Sequence, residues 1–443
     1  MTNLLKSSVA ALGLCSFLAA CATAPRPEVS QQAPPAVGAP EALPDTQAFQ
    51  SWLKEFRAEA ARKGISEATL VAALDSIQPV TRVVELDRKQ PEFTQTFWRY
   101  LDSAVSDARV RDGTARLAEN KELLARLESK YGVPGRFLVA FWGLETNYGR
   151  NLGGFNTPTA LATLAFDGRR SGFFRTELFD ALTIIDKGHV AAGKMVGSWA
   201  GAMGQTQFMP STFLKHAVDE TGDGRIDVWA QTPDALGSGA NYLHNLGWDA
   251  KRGWGREVLL PKGFDLSLAS LDSGASETLK PLSVWTSLGV TRADGKPLPK
   301  QELAAALILP MGMNGPAFLV YDNFRIILKW NRSISYALAI GHLSDRITGG
   351  APIIASKISD DPLSRAQVMQ IQGVLKKFGY LQAEPDGTLG SATRRALRQY
   401  QQACRLPADG YANQKTVQLL RTAAEAEAPC KGLNPGVALR DSR

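Results

Sequence analysis

Apolar residues recur at helical spacing along most of the chain. Phe49, Trp52, Leu53, Phe56 and Ala60 fall on one face, and Gly64 supplies a C-terminal stop. Ser66 then opens a second helix toward Leu70 and Leu74. From 47 to about 345 the pattern predicts helices joined by Gly-rich loops. Residues 253–310 are less regular and suggest short strands or an inserted lobe. From Phe137 to Leu144 the sequence reads FLVAFWGL, without a charge. A helix apolar on nearly every side is a buried one. Pro134 suits its first turn, and Glu145 follows the apolar run directly.

Beyond a linker at 348–362, Val368, Ile371, Leu375 and Phe378 again repeat at helical spacing. Asp386-Gly387 precedes Thr393, which stands seven residues after the Asp, and Asp409-Gly410 precedes Thr416 at the same offset. Each Asp-Gly reads as a tight turn feeding a helix. The apolar faces that follow are Ala396/Leu397/Tyr400 and Val417/Leu420. A small three-helix module is therefore expected at 363–423, with a tail at 424–443.

The N-terminus has a different character. Lys6 precedes an apolar stretch from Val9 to Ala20, too short for a bilayer and suited to a signal-peptide core. Leu18-Ala19-Ala20-Cys21 resembles a bacterial lipobox, which implies a signal at 1–20 and a diacylated Cys21. Ala22-Thr23-Ala24 offers the competing reading of an ordinary cleaved signal. By the same resemblance, Ala22 in place of Asp points to the outer membrane. Residues 22–46 are rich in Pro, Ala and Gln, so 21–46 reads as a lipidated tether. The predicted location is the periplasmic face of the outer membrane.

Composition adds limits. A chain of 443 residues is too long for one ordinary domain. The net charge of +7 suits a polyanionic partner, but no block of five Lys/Arg marks a nucleic-acid arm. Of four cysteines, Cys15 leaves with the signal and Cys21 takes the lipid. Cys404 and Cys430 remain in a compartment where disulfides persist, and the sequence leaves their pairing open. His189, His216, His244 and His342 form no zinc-ligand spacing, and no G-x-S-x-G elbow is present.

The candidate chemistry centres on Glu145. A carboxylate at the C-terminal end of a buried helix is disfavoured by desolvation and by the helix dipole. Both raise its pKa, as a general acid near neutral pH requires. The structural alternative is an interior Glu paired with Arg150. A second block, Gly197-Ser198-Trp199-Ala200-Gly201-Ala202-Met203-Gly204-Gln205-Thr206-Gln207-Phe208-Met209-Pro210-Ser211, has glycines that admit a ligand close to backbone. Gln205 and Gln207 offer amides suited to sugar hydroxyls and N-acetyl groups.

These blocks carry a family likeness. Gly143-Leu144-Glu145-Thr146-Asn147-Tyr148-Gly149-Arg150, the GSWAGAMGQTQFMPS block and Ala240-Asn241-Tyr242-x4-Gly247-Trp248 resemble the membrane-bound lytic murein transglycosylase B family over about 49–345. Residues 363–423 resemble the peptidoglycan-binding type 1 domain through Gln372, Leu375, Gly379-Tyr380, Asp386-Gly387, Gly390, Thr393, Tyr400-Gln401 and Asp409-Gly410. The resemblance implies a mainly α protein: a lysozyme-like helical catalytic domain at 47–347 plus a small three-helix peptidoglycan-binding domain. It implies a monomer acting on glycan strands, with Glu145 as sole catalytic residue and no cofactor for catalysis. Tyr100 would line the groove, and Arg169 and Arg170 would face peptide carboxylates. Ser198, Gln207, Tyr242 and Asn331 would hold the sugars, with Tyr336 nearby. Phe173 and Trp330 depart from the family's tyrosines, so stacking is kept and hydroxyl contacts are lost.

The implied chemistry uses one carboxyl group. Most glycosidases flank the bond with two, and no second acid accompanies Glu145 in its motif. Glu145 would protonate the oxygen between MurNAc and GlcNAc, and the substrate's N-acetyl group would stabilise the oxocarbenium-like centre. Glu145 would then take the proton of the C6 hydroxyl as a 1,6-anhydro ring closes. A hydrolytic muramidase and a non-catalytic wall-binding lipoprotein are the alternatives. Anhydro ends, reducing ends or no product separate the three.

One further loop has an EF-hand-like spacing. Asp219, Thr221, Asp223 and Asp227 bring oxygens, Arg225 brings its carbonyl, and Gly224 stands at the sixth position. Position twelve is Ala230, and Asp234 is the nearest later acid. The resemblance implies a structural calcium completed by Asp234. A metal-free turn held by Asx hydrogen bonds stands beside it.

Overall fold

The computed structural model describes residues 45–89, 95–271, 278–358 and 360–430. Cys21, the signal and the tether up to residue 44 lie outside them, as does most of the C-terminal tail. Among the described residues no helix is long and apolar enough to cross a membrane.

Helices dominate, and local capping explains where many begin. Asp45, Ser66, Ser106 and Asn156 each accept a backbone N–H at the start of the helix they precede. The first helix, Thr46–Arg62, buries Phe49, Leu53, Phe56 and Ala60, the face read from the sequence. It joins one apolar core with Thr157–Phe166 and Ser171–Asp186. A second core surrounds Gly135–Thr146 and Ile334–Arg346. Phe137 through Gly143 are buried, so the uncharged run is indeed an interior helix. Asn147, left-handed at φ 50°, ends it. Tyr148 folds back over Gly143, where a Cβ would stand 2.7 Å from its ring, so this glycine is a packing requirement.

The irregular stretch is a β lobe with its own core around Trp285. Its strands run in the order Ala269–Ser270, Ala304–Ile308, Ala317–Val320, Gly255–Leu259, Thr291–Arg292. Ala304–Ile308 and Ala317–Val320 are antiparallel, with Leu307 opposite Leu319. Ala269 pairs in parallel with Leu307.

Three helices, Arg365–Lys377, Ser391–Ala403 and Gln414–Glu425, form the C-terminal module. Its two Asp-Gly turns are built alike. The Gln372 side chain bonds Asp386 and the Gly387 N–H, and Gln401 does the same for Asp409 and Gly410. Cys404 and Cys430 are joined, which settles their pairing. The second turn is spent on docking. Asp409 accepts the Met313 N–H at 2.9 Å, and Arg398 donates to the carbonyls of Ala269 and Ser267 in the lobe. A Cβ on Gly312 would lie 2.4 Å from the Asp409 carboxylate, so the surfaces are in close contact.

Candidate active site

Glu145 ends the buried helix where the two large cores meet. Trp330 packs against both of them. One carboxyl oxygen of Glu145, Oε1, accepts the Trp330 indole N–H at 3.0 Å and the Tyr336 hydroxyl. Burial pushes its pKa up to about 7, against the lowering effect of the Tyr336 and Trp330 hydrogen bonds. Arg150 does not neutralise it, because Arg150 pairs with Asp112. The structural alternative read from the sequence, a Glu145–Arg150 pair, is therefore not what forms. Tyr336 is buried, and burial together with the Glu145 charge holds its hydroxyl well above the usual phenol range. Tyr100 feels the same charge: burial and Glu145 push it up to about 12.

The aromatic wall is continuous. The Trp330 ring lies 4.4 Å from Phe141, 5.4 Å from Phe208 and 5.2 Å from Tyr242, between ring centroids. Trp330 was expected to lose a polar contact as well as keep stacking; instead its N–H supplies the contact. Sequence reasoning did not place it among the site residues. Its direction depends on residues 185 positions away and left no local signal.

The Gly-rich block is tied to the Glu145 motif. The Thr146 hydroxyl donates to the Gln205 carbonyl at 2.8 Å. Ser198 Oγ accepts the N–H groups of Ala200 and Ala202, which shapes its own loop. Gln207 is left-handed at φ 49° and gives its amide N–H groups to Leu152 and Gly204. Gln205 departs from the sequence reading. It is buried, its amide donates to the Trp229 carbonyl, and it faces the interior rather than a ligand. Asn331 is exposed and accepts the Ser333 N–H at 3.0 Å, beside Trp330.

Arg169 and Arg170 form a separate cluster. Both grip Asp87, which is fully buried, while the guanidinium side chains stay nearly half exposed. Neither bonds to Glu145. Asp87 was missed from the sequence; the adjacent arginines, which need a counter-charge, were the available signal. Phe173 is exposed beside them.

The Asp219 loop is organised by its own carboxylates. Asp219 accepts the N–H groups of Gly222, Asp223 and Gly224 and the Thr221 hydroxyl. Asp234 is buried and accepts from Glu220, Thr221 and Asp227. Asp223 takes the Arg225 N–H and the Gln231 amide. Arg225 lays its own positive charge on Asp227 at 3.3 Å. Among the described residues no three His, Cys, Asp or Glu side chains converge as metal ligands. The loop is thus held in a turn by Asx-type hydrogen bonds, with Asp219, Asp223, Asp227 and Asp234 all on the same short stretch.

The model of the transglycosylase SLT domain matches residues 48–345, and that of a peptidoglycan-binding domain matches 364–420. The chain belongs to the transglycosylase SLT family. This family member is 32% identical over 286 residues to membrane-bound lytic murein transglycosylase B of Escherichia coli (strain K12), covering 63% of this chain and 74% of that protein. It superposes on SltB3 of Pseudomonas aeruginosa, solved in complex with NAG-anhNAM-pentapeptide, with a TM-score of 0.81 and 46% identity, over 85% of this chain and all of that one. Escherichia coli Slt35, solved in complex with calcium, matches with a TM-score of 0.56 and 29% identity, over 67% of this chain and 92% of that one.

Proposed function

We propose that this transglycosylase cuts the β-1,4 bond between MurNAc and GlcNAc in peptidoglycan and leaves 1,6-anhydro-MurNAc ends, in cell-wall remodelling and turnover. One observation carries the reading: a carboxyl group whose pKa stands near 7 through burial, hydrogen-bonded to Trp330 and Tyr336 within a cluster of aromatic side chains. A two-carboxylate glycosidase needs a partner acid within about 5–9.5 Å. The groups that shift Glu145 are two neutral donors, Tyr336 and Trp330, and no second carboxylate is among them.

Glu145 gives its proton to the leaving GlcNAc O4 as the C1–O4 bond breaks. The substrate's N-acetyl group stabilises the developing positive centre. The C6 hydroxyl then attacks C1 and returns its proton to Glu145. This internal nucleophile gains from proximity and dispenses with water. Tyr100, Tyr242, Ser198, Gln207 and Asn331 contact the sugars, and Arg169 and Arg170, held by Asp87, meet stem-peptide carboxylates. Residues 47–347 form the cutting body, and 363–423 hold the wall. Cys21 carries the lipid that keeps the monomer at the periplasmic face of the outer membrane, once 1–20 is removed. The peptidoglycan fragment bound to the SltB3 relative supports the substrate.

Mass spectrometry of products from purified peptidoglycan tests this. Anhydro ends are expected. Reducing ends alone mean that water attacks and the enzyme is a muramidase; no products from folded protein leave a binding lipoprotein.

A further inference from the structure

We infer that Trp330 is a positioning residue that decides which oxygen of Glu145 carries the working proton. The inference rests on Glu145 being the acid and base. Oε1 accepts two hydrogen bonds, from Trp330 Nε1 at 3.0 Å and from the Tyr336 hydroxyl. A carboxylate oxygen has about two lone-pair sites, so Oε1 is filled. Among the described residues nothing donates to Oε2.

The two donors are not equivalent. A tyrosine hydroxyl can donate or accept, so by itself it would tolerate a proton on Oε1 by turning around. An indole N–H only donates. Even with the tyrosine turned, a proton on Oε1 takes up one of its lone-pair sites and leaves the indole a weaker, crowded acceptor, and a poorly paired buried donor is costly. The N–H cannot swing away, because Phe141, Phe208 and Tyr242 surround the ring. The proton therefore belongs on Oε2. Oε2–H passes to the leaving oxygen as the C1–O4 bond breaks, and Oε2 takes the O6 proton as the C1–O6 bond forms. Both transfers use one atom, and Glu145 ends as it began.

The test compares Trp330→Phe and Trp330→Tyr with wild type on soluble glycan oligomers, across pH. Phe keeps the ring contacts and removes the N–H, and Tyr restores a polar donor. In Trp330→Phe, kcat should fall roughly tenfold or more while KM stays within about twofold. The lost donor had stabilised the anion, so the alkaline limb of kcat should move to higher pH. Trp330→Tyr should recover part of both changes. A purely structural role predicts the opposite pH effect: a loosened wall admits water, favours the carboxylate and moves the limb down. An unchanged kcat, or a limb moving down, in folded Trp330→Phe overturns the inference. If Trp330→Phe fails to fold, Trp330→Tyr decides alone: its limb must stay at or above that of wild type. An active Glu145→Gln protein would instead remove the acid/base reading itself.

Discussion

Replacing Glu145 by Gln tests the burial argument through stability as well as through turnover. The unfolded chain releases this proton near the ordinary value of 4.5, while the folded protein holds it to about 7. Between those values folding takes up a proton. Wild-type stability therefore falls as pH rises from 4.5 toward 7 and levels off above. The difference corresponds to at most about 3 kcal/mol, an upper limit because the Glu145 residue is only half-buried. Gln is nearly isosteric, its carbonyl can accept both Trp330 and Tyr336, and it never ionises. At pH 8 the variant should thus melt above wild type, by up to about 5 °C for a body of this size. At pH 4.5 the two should melt together. Turnover should be nearly abolished, beyond the ~10²–10⁴-fold of one acid/base contribution, since one residue serves both transfers. Calorimetry at the two pH values, paired with product analysis, reads both effects. A variant no more stable at pH 8, or stabilised equally at both pH values, would refute the claim that the fold burdens this carboxylate.

Other expectations follow from the same geometry. Wild-type kcat/KM should decline about tenfold for each pH unit well above 7, as Glu145 deprotonates; a flat profile to pH 9 would remove it as the acid. Asp87→Asn should raise KM about tenfold for peptide-bearing strands while sparing naked glycans; equal effects on both would show Asp87 to be structural only. Melting in calcium and in chelator separates the two readings of the Asp219 loop: a rise with calcium that the chelator reverses supports a structural ion, and no change leaves the turn held by Asp219 and Asp234 alone. Cys21→Ala should release the protein from membrane fractions or stall its processing, and an unmodified Cys21 in soluble wild type would end the lipoprotein reading.

The helical body was legible because its signals are local. Periodic apolar residues, Ser and Asn caps and the uncharged run before Glu145 each act within a few positions. The lobe was not. Its strands are two to five residues long, and the pairing of Ala269 with Leu307 spans a long stretch of chain. Residue type alone also cannot separate Gln205 from Gln207. Two positions apart, one turns inward to Trp229, and the other adopts a left-handed backbone at the loop's edge. In the Asp219 loop the oxygen spacing was visible, whereas the pairing of Arg225 with Asp227 and the burial of Asp234 were not. For Trp330, the ring was readable from sequence and the direction of its N–H was not.

The docked second Asp-Gly turn changes how holding and cutting combine. Two binding units on a loose linker assist each other through effective concentration, which any reachable geometry can exploit. Here Arg398 and Asp409 fasten the C-terminal module to the lobe. Simultaneous engagement is then a matter of shape. A strand whose spacing and curvature match gains the full advantage of two grips, and one that does not match gains none. On the proposed function the joint would then select strands by shape, through a few hydrogen bonds between the module and the lobe.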